Sequence, residues 1–247
     1  MRRAAALALA APLLAGLALA GCQAPGRAPA RDGERAGPFP APDRPVARIV
    51  STRWSTEEAR DRVSEADSVM DRAGVVPGMT VADIGAGEGY YTVRLATRVG
   101  ADGRVLAQDI VPEVRDALAQ RVNRERLDNV SVKLGEPENP KLPAGSFDRV
   151  FMVHMYHEIG QPYAFLWHLR PALRPGGRVI VVDSDRPTQN HGTPPALLAC
   201  EFAALGYRQV AFAPMPRADS YFAAFEAHGP RPEPRAVRAC RYNRPSR

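Results

Sequence analysis

Val81-Ala82-Asp83-Ile84-Gly85-Ala86-Gly87-Glu88-Gly89-Tyr90-Tyr91 is the stretch from which the rest of the chain can be read. The apolar run Met79 to Ile84 has the length of a short buried strand. Tyr90 to Val99 then carries helical spacing, with Tyr91, Leu95 and Val99 near one face. Between them, Gly85, Gly87 and Gly89 let the backbone turn tightly and let a ligand approach the main chain. The first turn of the following helix offers unpaired amides to that ligand. The spacing is G-x-G-x-G, not the G-x-G-x-x-G of dinucleotide-binding turns. Asp83 precedes the first glycine by two, and an acid there suits a cationic ligand better than a pyrophosphate.

The alternation continues outward. Ser55-Thr56-Glu57-Glu58 reads as a capping box with Ser55 at the N-cap, opening a helix to about Ala73. Asp102-Gly103 turns the chain into a strand over 104–109, and Pro112 suits the first position of a helix running to about Arg126. Strands follow over 130–134, 147–153 and 178–183, with a helix over 162–173 and a turn at Pro175-Gly176-Gly177. A helix over 195–205 stops at Gly206. Two further strands, 207–213 and 220–225, are joined by a loop too short for a parallel crossover, so they pair antiparallel. Regular alternation of this kind predicts a doubly wound α/β sheet with helices on both faces.

Asp109 ends the second strand 20 residues after Gly89, where an acid can hold both hydroxyls of a ribose. With these residues in view, the chain resembles the class I S-adenosylmethionine-dependent methyltransferases. Residues 81–91 are similar to that family's first motif, Gly103 to Asp109 to its ribose-binding segment, and Leu173 to Ile180 to the turn into its fifth strand. Leu134-Gly135-Glu136-Pro137 stands where the family has Gly-Asp beside the adenine, with Glu136 as the departure. The resemblance spans roughly residues 55–225. It implies a Rossmann-like sheet of seven strands, mostly parallel, with one antiparallel strand near the C-terminus. It also implies S-adenosyl-L-methionine as cofactor, held by Asp83, Gly85, Gly87, Gly89, Asp109 and Glu136.

The acceptor side follows from where ligands sit in open α/β sheets, beyond the carboxyl ends of the strands. His154, Tyr156, His157 and Glu158 follow the fourth strand. Asp183 and Asp185 end the fifth, and His191 comes shortly after. His157 is the expected general base, because an ordinary imidazole titrates near neutrality. His154, Tyr156, Glu158, Asp183 and Asp185 are expected around the acceptor. His154, His157, Asp183 and Asp185 have the chemistry of a metal set, but no tight ligand motif supports one, so no metal is expected. The expected acceptor is a small molecule or a lipid. The alternative is a non-catalytic envelope lipoprotein that reuses the fold to bind a ligand. A nicotinamide oxidoreductase is disfavoured by the glycine spacing, by Asp83 and by the lack of a Tyr-x-x-x-Lys pair.

The ends of the chain read differently. Arg2-Arg3 and the apolar run from Ala4 to Ala20 have the form of a signal peptide over 1–21. Leu19-Ala20-Gly21-Cys22 resembles a bacterial lipobox, which implies acylation of Cys22 and a membrane as partner. Gln23 next to the anchor favours an outer membrane. The expected location is therefore the cell envelope, lipid-anchored on the periplasmic side, or the cytoplasm if translation starts downstream. Residues 22–48 hold six prolines and read as a tether, 49–227 as the folded domain, and 228–247 as a solvated basic tail. The net charge of +6 belongs to these ends: residues 49–227 hold 20 basic and 23 acidic side chains. A nucleic-acid enzyme would carry its basic stripe on the folded domain, so no nucleic-acid partner is expected. Cys200 and Cys240 can pair in an exported compartment, but spacing alone leaves their pairing open.

Overall fold

The computed structural model describes residues 37–49 and 55–242. The signal peptide, Cys22, Gln23 and the first part of the tether lie outside the described residues.

Seven strands form one sheet: β1 (Thr80–Ile84), β2 (Arg104–Asp109), β3 (Val130–Leu134), β4 (Phe147–Val153), β5 (Leu173–Asp183), β6 (Tyr207–Met215) and β7 (Ser220–Ala227). Their order is β3-β2-β1-β4-β5-β7-β6. β7 alone runs against its neighbours, β5 and β6, while the remaining pairs are parallel. This is the Rossmann-like methyltransferase arrangement expected from the sequence. The chain reverses direction outward from β1, so the β1–β4 crevice is a topological switch point.

Parallel strands covered on both sides must be apolar on both faces. Ala82, Ile84, Val150, Met152, Val179 and Val181 face one layer, with α5 (Pro162–Leu169) and α6 (Pro195–Ala204). Val81, Phe151, Ile180 and Val182 face the other, with α2 (Glu65–Ala73) and α3 (Tyr90–Val99). The two-residue period of β1 therefore turns Asp83 towards α3. α4 (Pro112–Arg124) covers β2 and β3, burying Leu118 and Val122. On the α6 side, Phe202 is fully buried and stacks on Phe225 with ring centroids 3.9 Å apart. Truncating such a ring to alanine costs about 3–5 kcal/mol.

Three local expectations change. The helix expected from Ser55 to Ala73 breaks in two. Thr56, not Ser55, caps α1 (Glu57–Arg62) by accepting from Ala59 N. The chain then turns through Ser64 at φ 53° before α2 begins. That corner lets Arg60 of α1 reach back to Glu65, whose Oε1 lies 2.6 Å from its guanidinium. β5 starts earlier than expected, at Leu173, and takes Pro175-Gly176-Gly177 into its irregular first part, where its register with β4 shifts.

The ends of the folded part are not free. Residues 37–48, expected as the end of a tether, lie against the α5–α6 layer. Phe39 and Ala47 are buried. Arg44 pairs with Glu201 at 2.9 Å and donates to Ile159 O. Burial of an arginine needs such a partner, and Glu201 supplies it. Much of the tail expected to be solvated is likewise held: Cys240 is disulfide-bonded to Cys200, with Cα atoms 6.0 Å apart, and Val237 is buried. Asp43 and Arg241 form a parallel bridge between the two straps. No helix among the described residues is long and apolar enough to cross a membrane.

Candidate functional site

A cavity of about 430 Å³ opens at the carboxyl ends of β1, β2 and β4. That volume lies in the range of sites for small ligands and cofactors, about 300–1,000 Å³.

The glycine loop forms its floor. Gly85, Gly87 and Gly89 all adopt positive φ, at 66°, 55° and 91°. At Gly89 a side chain is excluded twice: by φ, and because a Cβ would come 2.5 Å from Leu118 Cδ1 of α4. The loop is tied across to β2, where Asp109 Oδ2 accepts from Gly87 N at 3.1 Å and its Oδ1 from Val111 N at 3.0 Å. Asp109 lines the cavity, as expected.

Asp83 stands one layer back. It does not line the cavity, and Thr92 Oγ1 of α3 donates to its Oδ2 at 2.6 Å. Burial pushes its carboxyl up to about 6, against the stabilising Thr92 hydrogen bond and the Arg60 charge. Its hydrogen bond is to α3, the helix that follows the glycine loop. Glu136 also departs from expectation: it is exposed, pairs with Lys141 at 2.8 Å and lies outside the cavity, which Pro137 lines instead. The β2 residue beside Asp109, Gln108, takes the place near that end. It lines the cavity, is 1% exposed, and its amide atoms find no hydrogen-bond partner among the described residues. A Cβ on Gly135 would collide with this amide, so the glycine makes room for it.

α1 forms the near wall through Glu57 and Arg60. The Arg60 guanidinium lies 3.9 Å from the centre of the Tyr90 ring. Arg94 and Arg121 link Glu57 and Asp61 into an ion network at the rim. Beneath it, Glu65 is buried. Burial works to raise its carboxyl, but His154, 3.4 Å away, and Arg60 hold it at about 2.

The far end holds the residues expected around an acceptor, divided between two layers. His157, Glu158 and His191 line the cavity. His157 Nδ1 lies 2.9 Å from Asp183 Oδ1. Asp183 is fully buried behind it and also accepts from Ser184 N and Thr193 Oγ1. Hydrogen-bonded so, the carboxylate fixes the orientation of the imidazole from behind. Burial pushes the Glu158 carboxyl up to about 7; His157 opposes this, and Asp109 and Asp183 add to it. Three expected neighbours do not belong to this end. His154 borders the cavity, but its ring is engaged by Glu65. Tyr156 is fully buried and donates to Glu201 at 2.7 Å, on the α6 side. Asp185 is exposed and outside the cavity.

Arg60 and Gln108 escaped the sequence reading. Arg60 sits in a helix dense with both charges, so nothing singled it out. Gln108 had one usable signal, a polar residue inside an otherwise apolar strand.

Residues 81–177 match the family model described as "Methyltransferase domain". Among curated proteins, the chain is 31% identical over 104 residues to a protein-L-isoaspartate O-methyltransferase of Methanothrix thermoacetophila, covering 42% of this chain and 47% of that one. It is 30% identical over 125 residues to a ubiquinone/menaquinone biosynthesis C-methyltransferase of Hahella chejuensis, covering 48% of each. The chain thus spans about half the length of the curated relatives it matches. A solved structure of a SAM-dependent methyltransferase from Aquifex aeolicus superposes with a TM-score of 0.62 at 25% identity, over 68% of this chain and 91% of that one. The family match and these neighbours imply S-adenosylmethionine as the cofactor.

Proposed function

We propose that the chain catalyses methyl transfer from S-adenosylmethionine to a small-molecule or lipid acceptor. The observation that carries this reading is one cavity with two unlike ends: a glycine loop tied to Asp109, and an imidazole oriented by a buried carboxylate. The residues fit the cofactor. Gly85 and Gly87 line the cavity with bare main chain at positive φ, and the buried Gln108 amide has donors and acceptors to offer a base edge.

When bound, the cofactor supplies an electrophilic methyl group on a sulfonium. Asp109 would accept hydrogen bonds from the ribose hydroxyls. Arg60 meets the carboxylate of the methionyl part, and Asp83 fixes α3 and the loop from behind. His157, Glu158 and His191 hold the acceptor in line with the methyl carbon, and most of the catalytic gain comes from that alignment. Calorimetric titration with S-adenosylhomocysteine tests the reading. We expect binding by the native protein, weakened about 10- to 100-fold by Asp109→Ala with the fold intact. Equal affinity in the variant would remove the assignment.

The location proposed is the cell envelope, with the chain anchored through Cys22. The Cys200–Cys240 disulfide supports it, because such bonds persist in oxidising compartments. The same disulfide favours a second reading, since the cofactor is a cytoplasmic metabolite: an envelope protein that binds a ligand without turnover. Methyl transfer to a panel of envelope lipids and small nucleophiles separates the two.

A further inference from the structure

We propose that His157, Glu158 and His191 form a site for a divalent first-row transition-metal ion at the acceptor end of the cavity. The proposal rests on the reading of this cavity as a methyl-transfer site, since the ion's use there is to seat the acceptor's nucleophilic oxygen or sulfur.

Each of the three residues offers a ligand atom, and these atoms lie within 4.8 Å of one another. The two imidazoles meet edge to face, with ring centroids 5.4 Å apart and planes at 89°. Two ligands at about 2.0–2.1 Å from one ion lie roughly 3.3 Å apart in a tetrahedral arrangement. His191 and Glu158 are only partly buried, so small side-chain rotations close that gap. Two imidazoles and one carboxylate suit zinc, iron, cobalt or manganese better than magnesium or calcium. Three protein ligands would leave further coordination positions, and all three residues line the cavity.

The surroundings match what a metal-binding histidine requires. Such a residue donates its other ring nitrogen to a carboxylate or carbonyl, which sets tautomer and ring orientation. Asp183 does this for His157. The loop that carries His191 is fastened to the same carboxylate two residues later, where Thr193 Oγ1 donates to Asp183 Oδ2 at 2.8 Å and Thr193 N to Ser184 O at 2.9 Å. Tyr221 holds that loop from the next strand, donating to Thr193 O at 2.7 Å. His191 itself adopts φ 56°, a left-handed conformation uncommon for a side-chain-bearing residue and maintained only where the surroundings impose it. One buried carboxylate thus aligns both imidazole-bearing segments. The metal set weighed from sequence had His154, Asp183 and Asp185 where the structure brings Glu158 and His191. An Nε2 that ligates an ion does not also take a proton, so the general-base role expected of His157 gives way to that of a ligand.

The test uses the purified protein without a histidine tag, stripped with chelator and dialysed. It is titrated with Co(II), followed by visible absorbance, and with Zn(II) by calorimetry. One equivalent is expected to bind. Affinity should fall more than about 100-fold in His191→Ala and in Glu158→Gln, and about 10- to 100-fold in Asp183→Asn. His168→Ala and His228→Ala, which remove imidazoles elsewhere, should change nothing. S-adenosylhomocysteine is titrated into the same samples, and circular dichroism checks each fold. Absence of metal binding in a chain that binds S-adenosylhomocysteine overturns the metal site alone. Undiminished metal binding in both His191→Ala and Glu158→Gln overturns it as well. Metal binding that follows the expected pattern without S-adenosylhomocysteine binding supports the site and overturns the reading it rests on.

Discussion

The two ends of the cavity are built on different principles. The cofactor end is mostly backbone: a short loop between β1 and α3 whose shape follows from Gly85, Gly87 and Gly89, pinned by one carboxylate from β2. The acceptor end is mostly side chain. It gathers His157 and Glu158 from the turn after β4, His191 from the loop after β5, and Asp183 from beneath both. A backbone site tolerates little change of residue but reads in one stretch of sequence. A side-chain site depends on distant segments arriving together, and it can be retuned by single substitutions.

The largest effect that would break this contrast is at Gly89. Valine there would need a left-handed backbone and would place its Cβ against Leu118. Gly89→Val should lower stability by about 2–3 kcal/mol and abolish measurable S-adenosylhomocysteine binding, read by thermal melting and calorimetry. A variant that binds normally would mean that the loop's backbone shape does not make the site.

Asp183→Asn should act on the other end alone. We expect turnover to fall about 10²- to 10³-fold with S-adenosylhomocysteine affinity within twofold of native, because the asparagine keeps its volume but loses the charge that orients His157. A matching loss of both quantities would join the two ends into one unit.

The smallest effect concerns the wall between them. The Glu65 carboxyl, held at about 2 against an ordinary 4.5, stabilises the fold above pH 4.5 and loses that contribution as pH falls from there towards 2. Asp83 acts with the opposite sign. Its carboxyl is raised to about 6, so forming its charge costs stability as pH rises from about 4 to 6, and acid relieves that cost. Denaturant melts across pH 2–8 should show Glu65→Gln losing about 2–3 kcal/mol of the native protein's acid-dependent stability change. An unchanged acid limb would mean that the His154–Glu65–Arg60 cluster contributes nothing.

The contrast also explains what could be read beforehand. The alternation of strands and helices, the antiparallel pairing of β6 with β7 and the glycine loop all follow from local signals: apolar runs, turn residues and a connection too short to cross over. Asp109 was legible because its distance from the loop is set by one helix and one strand. Asp83 is expected from its spacing to meet the ligand beside the loop, but β1 alternation turns it towards α3, and Thr92 becomes its partner. Tyr156 and His157 are adjacent in sequence, but the tight turn that carries them sends one to Glu201 and the other to Asp183. No periodicity rule distinguishes such neighbours. His191 was noted only as following β5, because its partners lie more than thirty positions upstream. The buried straps were hidden by their own composition: proline and arginine signal solvent unless a partner such as Glu201 awaits the charge.

Those straps also determine how the molecule bears load. The first described residues are fastened through Arg44 to Glu201 on α6, and through Asp43 to Arg241 beside the disulfide that ends on Cys200, the neighbour of Glu201. A pull on either strap therefore reaches α6, which rests on the apolar layer under β5 and β7. The glycine loop between β1 and α3 stands outside that path of force. The protein can be held by its ends while the cofactor end of the cavity keeps its shape.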